Sequence, residues 1–562
     1  MEVLIEMRDP SPPSPASPPS PARRWLGLVA IALGVALIVV DTTIVNVIVP
    51  SVIEDLDTSS AQAQWIQESY AIVFAALLLL TGRLADVFGA RLVFVAGVVV
   101  FGATSVLAGL APSSGLLILA RFLQGAGAAM ILPTSLSLLN ATFTGKARGQ
   151  AFAIWGSTIG AAAALGPLLG GWLAEHVSWR WAFGINVPLS VLVAAGVLLY
   201  MAPSPRTKGR LDVAGAVLSA AGLGLLAFGL VEGRTYGWIV GIEPFAVPGS
   251  GFTWGSGGPS PVLVALVLSA VTLFAFVRRQ IALSRSGDSA RVLMDVRLFS
   301  ISSFRNGNIA TLIIGLGEFG IVAVLPLWLQ FTLGYSALEA GLALVPIAIG
   351  SFVATGASFP LAARVPALGQ VRIGLALEVL GLAGVGLIAA PDSSWWAVAL
   401  MLFVYGIGVG FATAQVTNVV LAEVPHESAG QGSGIQSAFR QLGSALGIAA
   451  LTTVFFTTLS TNLRDRLGDA GLADGQADQL TGGVTDSAGA AIGPLADRPE
   501  TASVADAARA AMTDGVALGG YVAAGFVVLG LVATFLVPAA ATAPEEEAAA
   551  GGQGDAVPVS QV

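Results

Sequence analysis

Three features of this sequence predict an all-α polytopic membrane protein. About fourteen apolar runs are long enough to cross a bilayer, taking a window of about nineteen residues. Only 11% of the 562 residues are charged and 55% are hydrophobic, whereas a soluble chain carries about a quarter charged residues. Lys and Arg gather in alternate loops, the pattern that orients membrane helices.

The same composition excludes several function classes. The chain has no cysteine, which removes disulfides, thiolate catalysis and Cys-ligated metals. The two histidines, His176 and His426, fall beside predicted helix ends, so no metal site and no cofactor is expected. The net charge is −8, and much of the excess acid lies outside the apolar runs, which argues against nucleic acid.

Residues 1–24 include the proline-rich MRDPSPPSPASPPSPA, which favours an extended, solvated tail. From Trp25 to Val49 the chain is almost wholly apolar, enough at about 1.5 Å per residue to cross a hydrocarbon core of roughly 30 Å. This first span is expected to act as its own signal anchor. One carboxylate, Asp41, interrupts it. A charge there costs several kcal/mol, about 3 on conservative scales, so it faces a wet cavity, pairs with a cation or carries a proton. The bland reading is that Asp41 and Thr42 only lock the helix to a neighbour through hydrogen bonds.

Further spans centre near about residues 73, 101, 127, 161 and 192, then 221 and 270, then 317, 348, 380, 403, 445 and 527. With the N-terminus inside, the cytoplasmic segments hold Arg23 and Arg24, Arg83 and Arg91, Lys146 and Arg148, Arg206 to Arg210, and Arg278 to Arg297. Both termini are therefore expected in the cytoplasm. The organisation reads as a cytoplasmic tail at 1–24, a six-span block at 25–202, and two linker spans with an outward loop at 203–303. A second six-span block follows at 304–540, with a long Asp-, Ala- and Gly-rich outward loop at 460–515, and then a tail at 541–562. A duplicated block with a pair of spans between its copies is what a parallel-repeat transporter with an inserted hairpin looks like.

Within this frame, four stretches carry chemistry. Gly82 to Leu92, GRLADVFGARL, combines Gly82 and Gly89, which allow close approach and a tight turn, with Asp86, Arg83 and Arg91 as complementary charges. It reads as a latch between halves, or as an ordinary positive-inside loop. Arg121 to Ala129, RFLQGAGAA, puts an arginine and Gln124 at the edge of an apolar run. Asp41 is the obvious partner, because an unpaired buried charge costs more than a paired one; interfacial snorkelling is the alternative. The fifth span carries Gly156, Gly160, Gly166, Pro167, Gly170 and Gly171, a close-packed, bendable helix that serves packing or a gate. Glu318 in GLGEFG is a second protonation site, a cation anchor, or a stabilising partner of Arg440.

These stretches together resemble the major facilitator superfamily, and in particular its fourteen-span drug/proton antiporters of the multidrug efflux type. GRLADVFGARL is similar to the superfamily's loop signature, and RFLQGAGAA and GSTIGAAAALGPLLGG resemble motifs of its antiporters. DTTIVNVIVP at Asp41 to Pro50, WRWAFGINVP at Trp179 to Pro188 and AFRQLGSALGIA at Ala438 to Ala449 are similar to stretches typical of that branch. The resemblance covers residues 25–540. It implies two six-helix bundles plus two inserted helices and proton or cation coupling at Asp41 with Arg121 as its partner; Glu318 is counted as a further coupling acid on its own position, a lone glutamate between glycines inside an apolar run. It also implies a conformational latch at Asp86, Arg83 and Arg91.

Two positions depart from the family pattern. The thirteenth span has Arg440 and Gln441 where some multidrug members carry acids, which argues against direct recognition of dicationic drugs. The second span bears Glu68 in the context WIQESY, an extra outward-side acid.

The expected activity is proton-coupled export, not catalysis: proton antiport of lipophilic, cationic or amphiphilic compounds across a bacterial cell membrane, as in antibiotic resistance. High Ala and Gly and more Arg than Lys fit a GC-rich bacterial source. Bundles rocking about a central cavity would expose Asp41 alternately to desolvation, which favours the protonated acid, and to Arg121, which favours the carboxylate. The cavity wall is expected to draw on Glu68, Tyr70, Gln124 and Trp155 from the first block. Phe319, Trp328, Gln330 and Arg440 are expected from the second. The partners are protons, a small amphiphilic cargo and membrane lipids, with the protein a monomer. Export of lipids or other cell-envelope amphiphiles by the same fold is the alternative reading. Glu378, in the eleventh span, reads as an interface residue.

Overall fold

The computed structural model describes residues 21–538, apart from 59, 205, 208–209, 247–252, 287–290, 319 and 363. The expected tails therefore lie outside the described residues except at 21–24, as does Phe319. Pro21 already opens the first helix, a place where its missing N–H costs nothing.

Helices α1 (Pro21–Leu56), α2 (Ser60–Phe88), α3 (Ala90–Gly109), α4 (Ser114–Thr142) and α5 (Gly145–His176) form the first five spans. The short α6 (Trp181–Gly184) leads into α7 (Asn186–Tyr200) to make the sixth. Next come α8 (Val213–Tyr236) and α9 (Pro261–Arg285), packed on each other. The ninth span is α10 (Ser302–Glu318) followed by α11 (Gly320–Phe331). The chain continues through α12 (Ala337–Leu361), α13 (Ala367–Ile388), α14 (Trp395–Val420), α15 (Ala429–Asp469), α16 (Asp474–Asp486), α17 (Ile492–Ala496) and α18 (Ala502–Ala533). Among the described residues, 14 spans are long and apolar enough to cross a membrane. An even number of crossings puts both described chain ends on one face, called here the terminal face; the other is the far face.

Helices are the form these sequences must take, because hydrocarbon offers no partner to an open backbone group. Local signals then set their ends. Ser260 caps α9 by accepting from Val262 N at 3.1 Å, with Pro261 beginning the helix. Ser336 and Glu339 form a reciprocal capping box at the start of α12. Pro133, Pro167, Pro326, Pro346 and Pro360 lie inside helices, which neighbouring helices tolerate in a membrane. Small residues set the closest packing. A Cβ at Gly127 would sit 2.9 Å from Phe101 N and 3.0 Å from Gly97 O, so α3 and α4 touch backbone to backbone. Apolar side chains such as Val191, Leu199, Leu387 and Trp396 remain exposed, as a lipid-facing surface requires.

The two halves meet along α2 with α15, α5 with α12 and α14, and α4 with α15. The inserted pair is pinned at the terminal face. There Arg279 donates twice to Asp212 Oδ1, from Nε at 2.9 Å and Nη2 at 2.7 Å, and Gln280 Nε2 donates to Oδ2 at 3.1 Å. Burial pushes the Asp212 carboxyl up, but the bonds from Arg279, the Gly215 backbone and Gln280 outweigh it and leave it below its usual range.

The Gly-, Pro- and Trp-rich far-face loop carries a small hairpin, β1 (Phe245–Ala246) against β2 (Thr253–Trp254), with Phe245 opposite Trp254. The other far-face segment differs from the loop expected at 460–515. There α15 runs on to Asp469, α16 and α17 follow, and α18 begins at Ala502. Leu463, Leu467, Ala477, Val484, Ile492 and Met512 are buried in this cap. Its Asp and Gly content lowers hydropathy below a spanning signal, yet apolar residues at helical spacing still supply a packed face.

Candidate functional site

In the first half, Asp41 on α1 is fully buried and ion-paired to Arg121 Nη1 from α4. Its other oxygen, Oδ1, accepts from Gln124 Nε2 at 2.8 Å and from Asn186 Nδ2, on α7, at 2.7 Å. Ser105 Oγ, on α3, joins the same two amides at 2.9 and 3.2 Å. Arg121 also donates to Gln124 Oε1 at 2.7 Å and, through Nε, to the Ile66 carbonyl of α2 at 3.2 Å. The Tyr70 ring lies 4.3 Å from its guanidinium carbon, a cation–π contact in a desolvated setting. Five helices thus converge on one neutralised pair. Asp41, Arg121, Gln124 and Tyr70 come together as a set. Asn186 and Ser105 were not singled out, because a neutral polar residue in an apolar run gives no signal of what it binds.

In the second half, Glu318 ends α10. Its Oε1 accepts from the Thr413 hydroxyl of α14, and Arg440 Nη2 of α15 lies 3.5 Å from its Oε2. Tyr405, also on α14, donates its hydroxyl to the Glu318 carbonyl at 2.5 Å. Beside this group is a cavity of about 60 Å³, room for a few waters. Its walls include Glu318, Arg440 and Tyr405 from the second half and Ile159, Gly160 and Ala163 of α5 from the first. Chemically, it is an apolar pocket between the halves with one acid and one base on its wall.

At the terminal face, Asp86 near the end of α2 reaches across the halves to the first turn of α15. Gly430 N donates to its Oδ1 at 2.7 Å and Gln431 N to its Oδ2 at 2.9 Å. The carboxylate satisfies two orphan N–H groups and meets the positive end of the helix dipole. Gly82 makes this possible, since a Cβ there would come to 2.5 Å from Gly430 O and 3.0 Å from Gly434 Cα. Arg83 is buried within electrostatic reach of Asp86 and Asp295, and Asp295 N donates to Gln431 Oε1 at 2.8 Å. Arg91 does not join the crossing: its backbone N–H goes to Ser204 Oγ at 3.0 Å and its guanidinium to the Leu198 carbonyl. Gly89, at φ +94°, makes the turn between α2 and α3. A crossing contact with no sequence signal is Arg148, on α5, which donates to Asn418 O at 3.2 Å near the end of α14.

The glycines of α5 divide between two neighbours. Gly166 and Gly170 press against Thr43, Ile44 and Val47 of α1, while Gly156 meets Ala414, Gly160 meets Ser351, and Gly171 and Pro167 face α12 at Leu338 and Gly341. The helix is therefore held between its own bundle and the other.

The remaining expected wall residues lie elsewhere. Trp155 is fully buried in the first half with its indole N–H on Ser135 Oγ at 3.0 Å. Trp328 donates to Thr513 at 3.1 Å, and Gln330 to Pro326 O at 3.3 Å. Glu68 does not line the central cavity; it is hydrogen-bonded to Glu232 of α8. Aromatic and amide side chains in a helix satisfy themselves within their own bundle unless the packing opens a wall for them. Among the described residues no group of His, Cys, Asp and Glu is arranged to hold a metal ion.

Fourteen crossings, two halves joined by a glycine-rich seam and buried charge nodes define a polytopic helical transporter. The chain belongs to the Major Facilitator Superfamily, whose family model matches residues 31–448. It is 33% identical over 455 residues to the puromycin resistance protein pur8 of Streptomyces alboniger, covering 79% of this chain and 84% of that one. It is 36% identical over 443 residues to the cephamycin export protein CmcT of Amycolatopsis lactamdurans, covering 77% and 86%. The multidrug efflux pump LfrA of Mycolicibacterium smegmatis is 31% identical over 499 residues, covering 88% and 92%. The fold of this chain is shared by the human organic anion transporter MFSD10, at a TM-score of 0.56, 14% identity and coverage of 92% of this chain and 100% of that one. These relatives are transporters and not enzymes, as is this chain.

Proposed function

We propose that the protein is a proton-coupled exporter of lipophilic, cationic or amphiphilic drugs. It would lie in a bacterial cytoplasmic membrane as a monomer, with the terminal face in the cytoplasm. The observation that carries this reading is Asp41, a fully buried carboxylate at a convergence of helices, paired with the one arginine of α4. Intramembrane ionisable groups of this kind mark ion pathways by default. The relatives named for antibiotic resistance and multidrug efflux support drugs as the cargo class.

In the conformation at hand Asp41 is surrounded by hydrogen-bond donors. Arg121, Gln124 and Asn186 all donate to it. The terminal face is latched by Asp86 of α2, which accepts from the first turn of α15. Loading a proton requires Arg121 to withdraw, which breaks contacts to α2 and α1 together and so couples protonation to helix movement. Release of the latch then opens the cavity toward the terminal face, where cargo enters.

Proton-driven efflux of ethidium from proteoliposomes, wild type beside Asp41→Asn at matched incorporation, tests this. An imposed pH gradient is expected to drive export by the wild type and not by the variant. Equal export by both removes Asp41 from the coupling role. A second reading, export of cell-envelope amphiphiles, rests on one crevice of about 140 Å³. It lies between α2, α8 and α15, with Arg234 and Trp238 beside apolar Leu230 and Ile448, a shape that suits a headgroup and a chain. Accumulation of envelope lipids, but not dye, in cells lacking the protein would favour it.

A further inference from the structure

Glu378, on α13, is fully buried, and neither of its carboxyl oxygens has a hydrogen-bond partner. Its placement is built into the packing. A Cβ at Gly408 of α14 would sit 2.6 Å from Glu378 Cγ, and one at Gly374 would sit 2.7 Å from Ala412 N. Glycines at both positions therefore bring α13 and α14 together with the acid between them.

Among the described residues the charged and titratable groups facing Glu378 are few. Glu318 from α10, Tyr405 from α14 and Arg440 from α15 lie within electrostatic reach. On its own helix Arg372 turns away, to the Thr534 carbonyl at 3.2 Å. The other helix packed on α13, α18, brings Tyr521 against Gly386, two turns further along.

The group holds two carboxyls and one guanidinium. With all three ionised it would carry an uncompensated negative charge among apolar side chains, which is expensive. One proton makes it neutral. Glu318 has the donors, Thr413 and Arg440, whereas Glu378 has none, so the proton sits on Glu378. Of the two acids only Glu318 lines the cavity, so Glu318 meets the cargo while Glu378 stores the proton.

We propose that Glu378 is the exchangeable proton carrier of the second half, giving up its proton when a cationic cargo displaces Arg440 from Glu318. This rests on the export reading and specifies its cargo. The charges balance. Before binding, Glu318 carboxylate and Arg440 offset each other and Glu378 is neutral. After binding, the cation pairs with Glu318, Arg440 pairs with the Glu378 carboxylate, and the O–H proton of Glu378 leaves to water as Arg440 moves in. One monovalent cation thus exchanges for one proton, and the site stays neutral throughout.

Two measurements on the purified full-length protein in detergent test it. The first is infrared absorption at neutral pH without cargo. The protonated-carboxyl C=O band is expected in wild type and reduced in Glu378→Gln and in Glu378→Met, with both variants checked for an unchanged melting temperature. An undiminished band in the folded variants overturns the proposal. The second is proton release on adding ethidium, read with a pH indicator in weak buffer. Wild type is expected to release about one proton per ethidium bound, and Glu378→Gln none, with binding weakened at least about tenfold because the added charge is no longer offset. Equal release by wild type and Glu378→Gln, or no release by either, overturns the exchange. Failure of the Asp41 reading is distinct: it appears as gradient-driven efflux persisting in Asp41→Asn, and it leaves both of these readouts unchanged.

Discussion

The buried acids of the two halves are held in different ways. Asp41 has a donor for each oxygen and an arginine whose own donors go to Gln124 and the Ile66 carbonyl. Glu318 has a threonine and an arginine at 3.5 Å, a second acid nearby with no donors, and a cavity at its side. A complete set of partners fixes one charge state and makes every departure costly, so it suits a switch thrown once per cycle by a large movement. An incomplete set next to free volume lets partners exchange locally, which suits a cargo site.

The sharpest way to break this contrast is Arg121→Ala. Removing one member of a buried pair leaves the other charge uncompensated, so a loss of about 3–5 kcal/mol is expected, read as thermal unfolding in detergent. Adding Asp41→Asn is expected to recover much of it, since the orphaned charge disappears. Arg440→Ala should cost less, about 1.5–3 kcal/mol, as a hydrogen bond to a charged group does. Equal losses for the two arginines would end the distinction between the nodes.

The latch ranks next. Asp86→Ala removes a cap supplied to α15 from the other half, worth about 0.5–2 kcal/mol. Spin labels on the terminal-face ends of α2 and α15 should report a larger share of long distances in the variant; an unaltered distribution would assign the closure to Arg148 and the glycine seam instead.

The exposed pair of Asp55 and Arg180 provides the smallest effect and the control for burial. Hydrogen bonds from Arg180 and Trp179 hold the Asp55 carboxyl below its usual range. A lowered acid stabilises above its unfolded value, and that stabilisation disappears as pH falls through the folded one. Melting temperature against pH is expected to show only a shallow acid-side decline, absent in Asp55→Asn.

The spans were legible because about twenty apolar residues in a row is a signal written along one dimension. Asp41 and Arg121 were legible because a charge in such a run demands a partner. Glu232 escaped because it stands near the end of its helix, where a charge reads as loop. Trp155 and Trp328 misled as wall residues because hydropathy does not say which face of a helix meets a cavity.

By itself, then, the sequence determined the helical membrane architecture, the family, and the acids and arginine that cannot stand unpaired in hydrocarbon. Tertiary structure alone decided that Asn186 and Ser105 complete the Asp41 node, that Arg91 stays out of the latch, and that Glu378 is sealed beside Glu318 without a donor. Neutral amides and hydroxyls cost little wherever they point, and the pairing of an acid depends on helix rotation and close approach, which packing between segments sets and no single segment encodes.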